Sequence, residues 1–185
     1  MGAKKSVLTS VQLDEYVELT YLTRWEILLI LEKFLALAPE GITRDLHQRF
    51  PHHQIMDIFP QLKYNPFHDR LFHVFSSAHD TMCSFEDLLD MFSVMSKSCP
   101  HDVKAAWAFR VFDLDNDDMI TKEDIINTCN RLTSNYQLQQ DEMENIADVI
   151  IEEMDLQNNG SLGQFEFIKA ISKVPEFHNS FSFRP

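Results

Sequence analysis

A chain of 185 residues with 44% hydrophobic residues and fifteen Phe carries enough apolar mass for a core, arranged as one domain or two small lobes. Its formal net charge of -13, with seven acidic residues and no Lys or Arg between Asp141 and Asp155, argues against a nucleic-acid partner and suits a basic amphipathic helix. Three widely spaced cysteines, Cys83, Cys99 and Cys129, fit neither a disulfide framework nor a four-cysteine zinc site, and read as reduced thiols of a cytosolic protein.

No secretory signal is read at the N-terminus, and the longest apolar stretch, Ile27 to Leu31, is too short to span a bilayer. The first six residues, Met1-Gly2-Ala3-Lys4-Lys5-Ser6, match the N-myristoylation pattern with Gly2 as acceptor, although an ordinary terminus reads the same over so few residues. One acyl chain beside Lys4 and Lys5 predicts weak, reversible attachment to an anionic leaflet. Residues 1–20 are taken as an N-terminal segment. Thr23 and Glu26 form a capping-box pair that starts a helix. That helix, from Trp25 to Leu35, is apolar on nearly every side and is expected to be buried in the protein or against a partner. Pro39 and Gly41 end it. Residues 41–53, with His47, His52 and His53, read as a solvated loop without zinc spacing.

Ile55 to Leu62 reads as a short helix, Asn65-Pro66-Phe67 as a turn, and Asp69 to Phe75 as the next helix. A loop from about Ser76 to Asp87 follows, with Cys83 as its central apolar residue and Phe85, Leu88, Met91, Phe92 and Met95 on the outgoing helix. Helix-loop-helix architecture survives there, but Ser76, Ala78 and Asp80 do not make a metal-ligand set, and a similar remnant is expected around residues 36–50. These elements make an N-terminal lobe of residues 21–99.

Pro100 separates it from a second lobe, residues 100–173. Asp113-Leu-Asp-Asn-Asp-Asp-Met-Ile-Thr-Lys-Glu-Asp124 places carboxylates at positions one, three, five and twelve of a twelve-residue loop, the spacing of an EF-hand. A hard dication needs several oxygens from a short span, and alternate residues supply them as the chain wraps the ion. Asp113, Asp115, Asp117 and Asp124 are the expected side-chain ligands of Ca²⁺ or Mg²⁺, Met119 gives its carbonyl, and Thr121 holds or replaces a water. Position six is Asp118, a residue that tolerates the left-handed backbone required there better than most. Aspartate at position twelve reaches less far than glutamate, which tilts the site toward Mg²⁺ or weakens Ca²⁺. Val103, Trp107, Phe109 and Phe112 suit the incoming helix; Ile125, Ile126, Cys129 and Leu132 suit the outgoing one.

After a linker from Ser134 to Asp141, Ile146, Val149, Ile150 and Met154 form one apolar helix face. The fourth loop, Asp155 to Glu166, has Gly160 at the sharp turn and Glu166 at the bidentate end. Its ligand candidates are Asp155, Gln157, Asn159, Ser161 and Glu166, with two carboxylates in place of four. Such a site is expected to be weak in isolation, and an empty structural hand is the alternative. Ile120 and Leu162 occupy the eighth positions, where paired hands share a β-bridge. Residues 174–185 form an extension whose Phe177, Phe181 and Phe183 are expected to pack into a groove on the protein itself. The fold expected is all-α: four EF-hands in two lobes, the first two degenerate, with a C-terminal extension.

Asn65-Pro66-Phe67, Ser84-Phe-Glu-Asp87, Met91-Phe92-Ser93-Val94, Ala108-Phe109-Arg110-Val-Phe-Asp113, aspartate closing the third loop, and the ending Pro175-Glu-Phe177 with Ser180-Phe181 together resemble the calcium- and integrin-binding protein family, over essentially the whole chain. The resemblance implies Mg²⁺ or Ca²⁺ in the third and fourth hands and a hydrophobic groove for a helical cytoplasmic segment of a membrane protein, an integrin α tail or a mechanosensory channel. It also implies a C-terminal extension that occupies or flanks the groove, and an acylated N-terminus with reversible plasma-membrane association. Gln157, Asn159 and Asp118 depart from the family's usual acidic and glycine residues. The leading function is a cytosolic, non-enzymatic adaptor; a Ca²⁺/Mg²⁺ buffer and a regulatory subunit of an enzyme such as a phosphatase are the alternatives. No nucleophile, base and orienting group can be placed together from the residues.

Overall fold

A computed structural model describes residues 8–38, 45–133 and 138–185. Gly2, the segment 39–44 and residues 134–137 of the linker lie outside them. The chain forms two compact units, Met1–Cys99 with Ser182–Pro185, and Pro100–Phe181.

Among the described residues, the regular structure of the N-terminal unit is helical apart from one two-residue ladder. It begins with α1 (Ser10–Leu19), inside the segment that the sequence left without an element. Thr9 caps it: its hydroxyl accepts the Gln12 amide at 3.2 Å, and Gln12 Oε1 accepts the Thr9 amide at 3.0 Å. The expected capping box of α2 (Arg24–Leu35) is present, with the Thr23 amide donating to Glu26 Oε2 at 2.8 Å. Burial of α2 differs from expectation. Ile27, Ile30, Leu31 and Phe34 are fully or nearly fully buried, whereas Trp25 is 68% and Leu28 43% exposed. A helix laid on one layer of neighbours hides a single stripe at i, i+3, i+4 and i+7, however apolar its other face is.

Phe50–Pro51 (β1) pairs antiparallel with Met82–Cys83 (β2), Phe50 opposite Cys83, which places the register of the first hand. The solvated loop expected to run to residue 53 therefore ends early, because His52 and His53 open α3 (His52–Ile58). The single helix expected over Ile55 to Leu62 is two, α3 and α4 (Pro60–Lys63). Pro60 bars its predecessor from helical backbone, and Phe59 sits at φ -126°, ψ 75°. After α5 (His68–Phe75), α6 (Phe85–Met95) buries Phe85, Leu88, Met91, Phe92 and Met95 as the core of this unit.

The C-terminal unit holds α7 (His101–Phe112), α8 (Lys122–Leu132), α9 (Gln140–Met154), α10 (Gln164–Ile171) and the one-turn α11 (Phe177–Ser180). Helix α7 packs on α10, and α8 on α9. The inward face of α9 keeps Ile150 and Met154 of the expected row but not Ile146 and Val149. Met143 and Ala147 are buried and Ile150, Ile151 and Met154 half-buried, while Val149 is 53% and Ile146 38% exposed. Both rows have helical spacing, and docking on α8 selects between them. The extension is divided. Phe177 and Phe181 pack on the core of this unit, whereas Phe183 belongs to the N-terminal unit, its amide donating to Met95 O at 3.1 Å and its ring standing edge-on 5.6 Å from Phe92.

Candidate functional site

The third loop, between α7 and α8, gathers three of the expected ligands: Asp113, Asp115 and Asp117 each bring a carboxylate oxygen within 4.8 Å of the other two. Its backbone makes this possible. Asn116 at position four and Asp118 at position six take left-handed φ of 61° and 65°, so the chain curls around the carboxylates. Asp113, buried at the end of α7, accepts the Asp117 amide at 3.2 Å and the Asp118 amide at 3.1 Å, and Asp117 accepts the Met119 amide at 2.8 Å. Burial raises the Asp113 carboxyl above its usual range, countered in part by amides of Asp118, Asp117 and Asn116. Like charges at such a separation repel by about 1 kcal/mol per pair in water and several times that near a protein surface. Such a group of hard oxygens fits a divalent cation.

Asp124 is not part of this triad of oxygens. It is 3% exposed and caps α8: Oδ1 accepts the Leu114 amide at 3.0 Å, and Oδ2 accepts the Thr121 amide at 2.9 Å and hydroxyl at 2.7 Å. It thereby ties the first turn of the loop to the last. Thr121, expected to handle a water, is the N-cap of α8. Met119 is half-buried at position seven.

The fourth loop has the same frame with less charge. Asn158 and Gly160, at positions four and six, have φ of 54° and 83°. Asp155 accepts the Gly160 amide at 2.7 Å and the Gln157 amide at 3.1 Å. Burial opposes its ionisation, yet the amides of Gly160, Asn159, Asn158 and Gln157 together hold its carboxyl below the usual range. Glu166, 2% exposed, repeats the tie made by Asp124, accepting from Leu156 at 2.9 Å and Gly163 at 2.9 Å. Asn159 Oδ1 accepts the Ser161 amide and hydroxyl, both at 3.0 Å. The two loops are joined as expected by the Ile120–Leu162 bridge.

Behind the bridge lies an apolar cavity of about 170 Å³. Phe112, Ile120, Ile125, Ile150, Met154, Leu162, Phe167 and Ile171 line it, with Thr128. The rings of Phe177 and Phe181 stack 5.4 Å apart and pack against the same apolar cluster. Lys104, fully buried, donates from Nζ to Phe181 O at 3.1 Å and so holds the end of α11.

Sequence reading missed two features. The left-handed Asn116 and Asn158 were legible in principle, since asparagine favours that backbone. The placement of Arg49 in the loop 76–87 carried no spacing signal, because its contacts are 27 to 33 residues away in sequence.

Comparison with known proteins agrees with this geometry. A family model of the EF-hand domain pair matches residues 102–172. The chain is 36% identical over 187 residues to calcium and integrin-binding family member 2 of Mus musculus and to its counterpart in Homo sapiens, with all of each chain covered. To calcium and integrin-binding family member 3 of Homo sapiens it is 34% identical over 188 residues, again with all of both chains covered. With the likeness running through both units and the EF-hand pair matched on its own, the protein belongs to the calcium and integrin-binding family.

Proposed function

We propose that this protein is a cation-supported regulatory adaptor that binds Ca²⁺ or Mg²⁺ in its C-terminal hands and holds an apolar helix, the cytoplasmic segment of a membrane protein such as an integrin α tail or a mechanosensory channel. Asp113, Asp115, Asp117 and the Met119 carbonyl would hold the ion of the third loop, with Asp124 closing the ring; Asp155, Gln157, Asn159, Ser161 and Glu166 would serve the fourth. A bound dication supplies the positive charge that the gathered carboxylates lack, and so stabilises the folded loops over the unfolded chain. The third loop, with four carboxylates to the fourth's two, is the tighter of the pair.

The observation that carries the adaptor reading is the contact of Phe177 and Phe181 with the apolar cluster beside the 170 Å³ cavity. A one-turn helix with no buried residue covers this surface lightly, and a longer amphipathic helix with i, i+4 anchors would bury more of it. Met154 at the cavity wall adapts to varied side chains, and the protein's net charge of -13 suits a basic flank on the ligand. The relatives named for integrin binding point to the same class of partner. Acylation at Gly2 would add weak membrane attachment, and the protein would act at the cytoplasmic face of the plasma membrane.

Calorimetry in Mg²⁺ with a basic amphipathic helical peptide tests this reading, comparing the full chain with a chain ending at Lys173. Truncation should tighten binding by an order of magnitude or more and raise fluorescence of an apolar dye. Equal affinity and equal dye signal in the two chains would reject the adaptor in favour of a buffer.

A further inference from the structure

The loop Ser76–Asp87 keeps the frame of an EF-hand. His79, at position four, has φ 51°, matching Asn116 and Asn158 in the later loops, and Cys83 at position eight joins the ladder with Phe50. Its ligand set is degenerate, with alanine at position three. The guanidinium of Arg49 lies where the side chains of this loop converge. Arg49 Nη2 donates to Ser76 Oγ at 2.8 Å, Asp80 Oδ1 at 2.7 Å and Met82 O at 2.6 Å, which are positions one, five and seven. Nη1 lies 3.7 Å from Asp87 Oδ2, position twelve, and donates to Ser77 Oγ at 2.9 Å. Four of the positions that would bind a dication, including the backbone carbonyl, thus face one side-chain cation.

We propose that Arg49 is a tethered cation of the second hand, filling the ion position so that the N-terminal pair of hands stays in its folded form without Ca²⁺ or Mg²⁺. An ordinary surface ion pair uses one carboxylate; this contact takes up two carboxylates, two hydroxyls and a main-chain carbonyl, with the Arg49 side chain only 24% exposed. Arg49 directly precedes β1, whose pairing with β2 pins its Cα beside the loop. A group held so close has an effective concentration on the order of millimolar or above, which a free cytosolic ion at lower concentration does not outcompete. The planar fork also offers several donors at fixed angles, which a lysine cannot reproduce. Asp87 completes the frame by accepting the amides of Ser77 at 3.0 Å and Ser84 at 2.8 Å, as Asp124 and Glu166 do in the later hands. Ion response is then confined to the C-terminal unit.

The test is amide hydrogen exchange on the full chain, read at His52, whose N–H donates to Thr81 O at 2.9 Å beside the ladder. In wild-type protein, protection of His52 should change less than twofold between excess chelator and millimolar Ca²⁺. In Arg49→Ala in chelator it should fall at least tenfold, and millimolar methylguanidinium, which carries the same donor group, should restore part of it. Arg49→Lys should fall between the two. Wild-type protection that collapses on chelation overturns the proposal, as does Arg49→Ala protection equal to wild type. Should Arg49→Ala fail to fold, the wild-type comparison decides alone.

Discussion

Ile120 and Leu162 exchange both of their backbone hydrogen bonds, each N–H donating to the other's carbonyl at 2.9 Å. Both are buried, at 3% and 1% exposure, so the third and fourth loops share one bridge inside the core of the C-terminal unit. Asp117→Asn, which takes one charge from the third loop, should weaken cation binding there on the order of tenfold. It should also raise exchange of the Leu162 amide at limiting Ca²⁺, although the substitution lies in the other loop. An unchanged Leu162 amide would mean that the two hands load independently.

Asp124 closes the third loop with the shorter acidic side chain, and Glu166 closes the fourth with the longer. Asp124→Glu lets the carboxylate reach toward the triad of Asp113, Asp115 and Asp117 with both oxygens. Ca²⁺, which accepts more oxygens than Mg²⁺, should gain about tenfold in affinity while Mg²⁺ gains little. Competition calorimetry in a Mg²⁺ background reads the ratio directly. A parallel gain for both ions would show that charge, not reach, limits this site.

Tyr16 on α1 donates to Glu86 Oε1 at 3.0 Å and stands edge-on to Phe85 at 5.8 Å. Burial, then the hydrogen bond and charge of Glu86, push its hydroxyl up to about 12 from 10.0. The folded form therefore favours the neutral phenol. The resulting stability is fully present below pH 10 and is lost as pH rises toward 12. Tyr16→Phe should cost about 0.5–1 kcal/mol at neutral pH and flatten the decline over that alkaline window. Chemical denaturation at several pH values measures both effects.

Cys83 sits in β2 with no exposed surface, and burial, with a smaller contribution from Asp87, pushes its thiol up to about 12. At pH 8 it therefore stays almost wholly in the unreactive thiol form. Cys129 is half-buried, and burial raises its thiol less completely out of reach. Alkylation of native protein should label Cys129 first, with Cys83 modified only after unfolding. Fast labelling of Cys83 in native protein would show that the β1–β2 ladder opens readily.

Local physics wrote much of this protein into its sequence. Carboxylates every second residue in 113–117, an apolar residue at each eighth position and the Thr23/Glu26 capping pair act within a few residues of one another, so spacing alone placed the third and fourth loops, their bridge and the start of α2. Where two local patterns compete, tertiary contact decided. Burial chose Met143 and Ala147 over Ile146 and Val149 on α9, left Trp25 exposed on an apolar helix, and divided the extension at Phe181. Arg49 was the least legible residue of all. A guanidinium on a long side chain finds its acceptors wherever the folded backbone presents them, and its acceptors at Ser76, Asp80 and Met82 converge on it only once β1 has paired with β2.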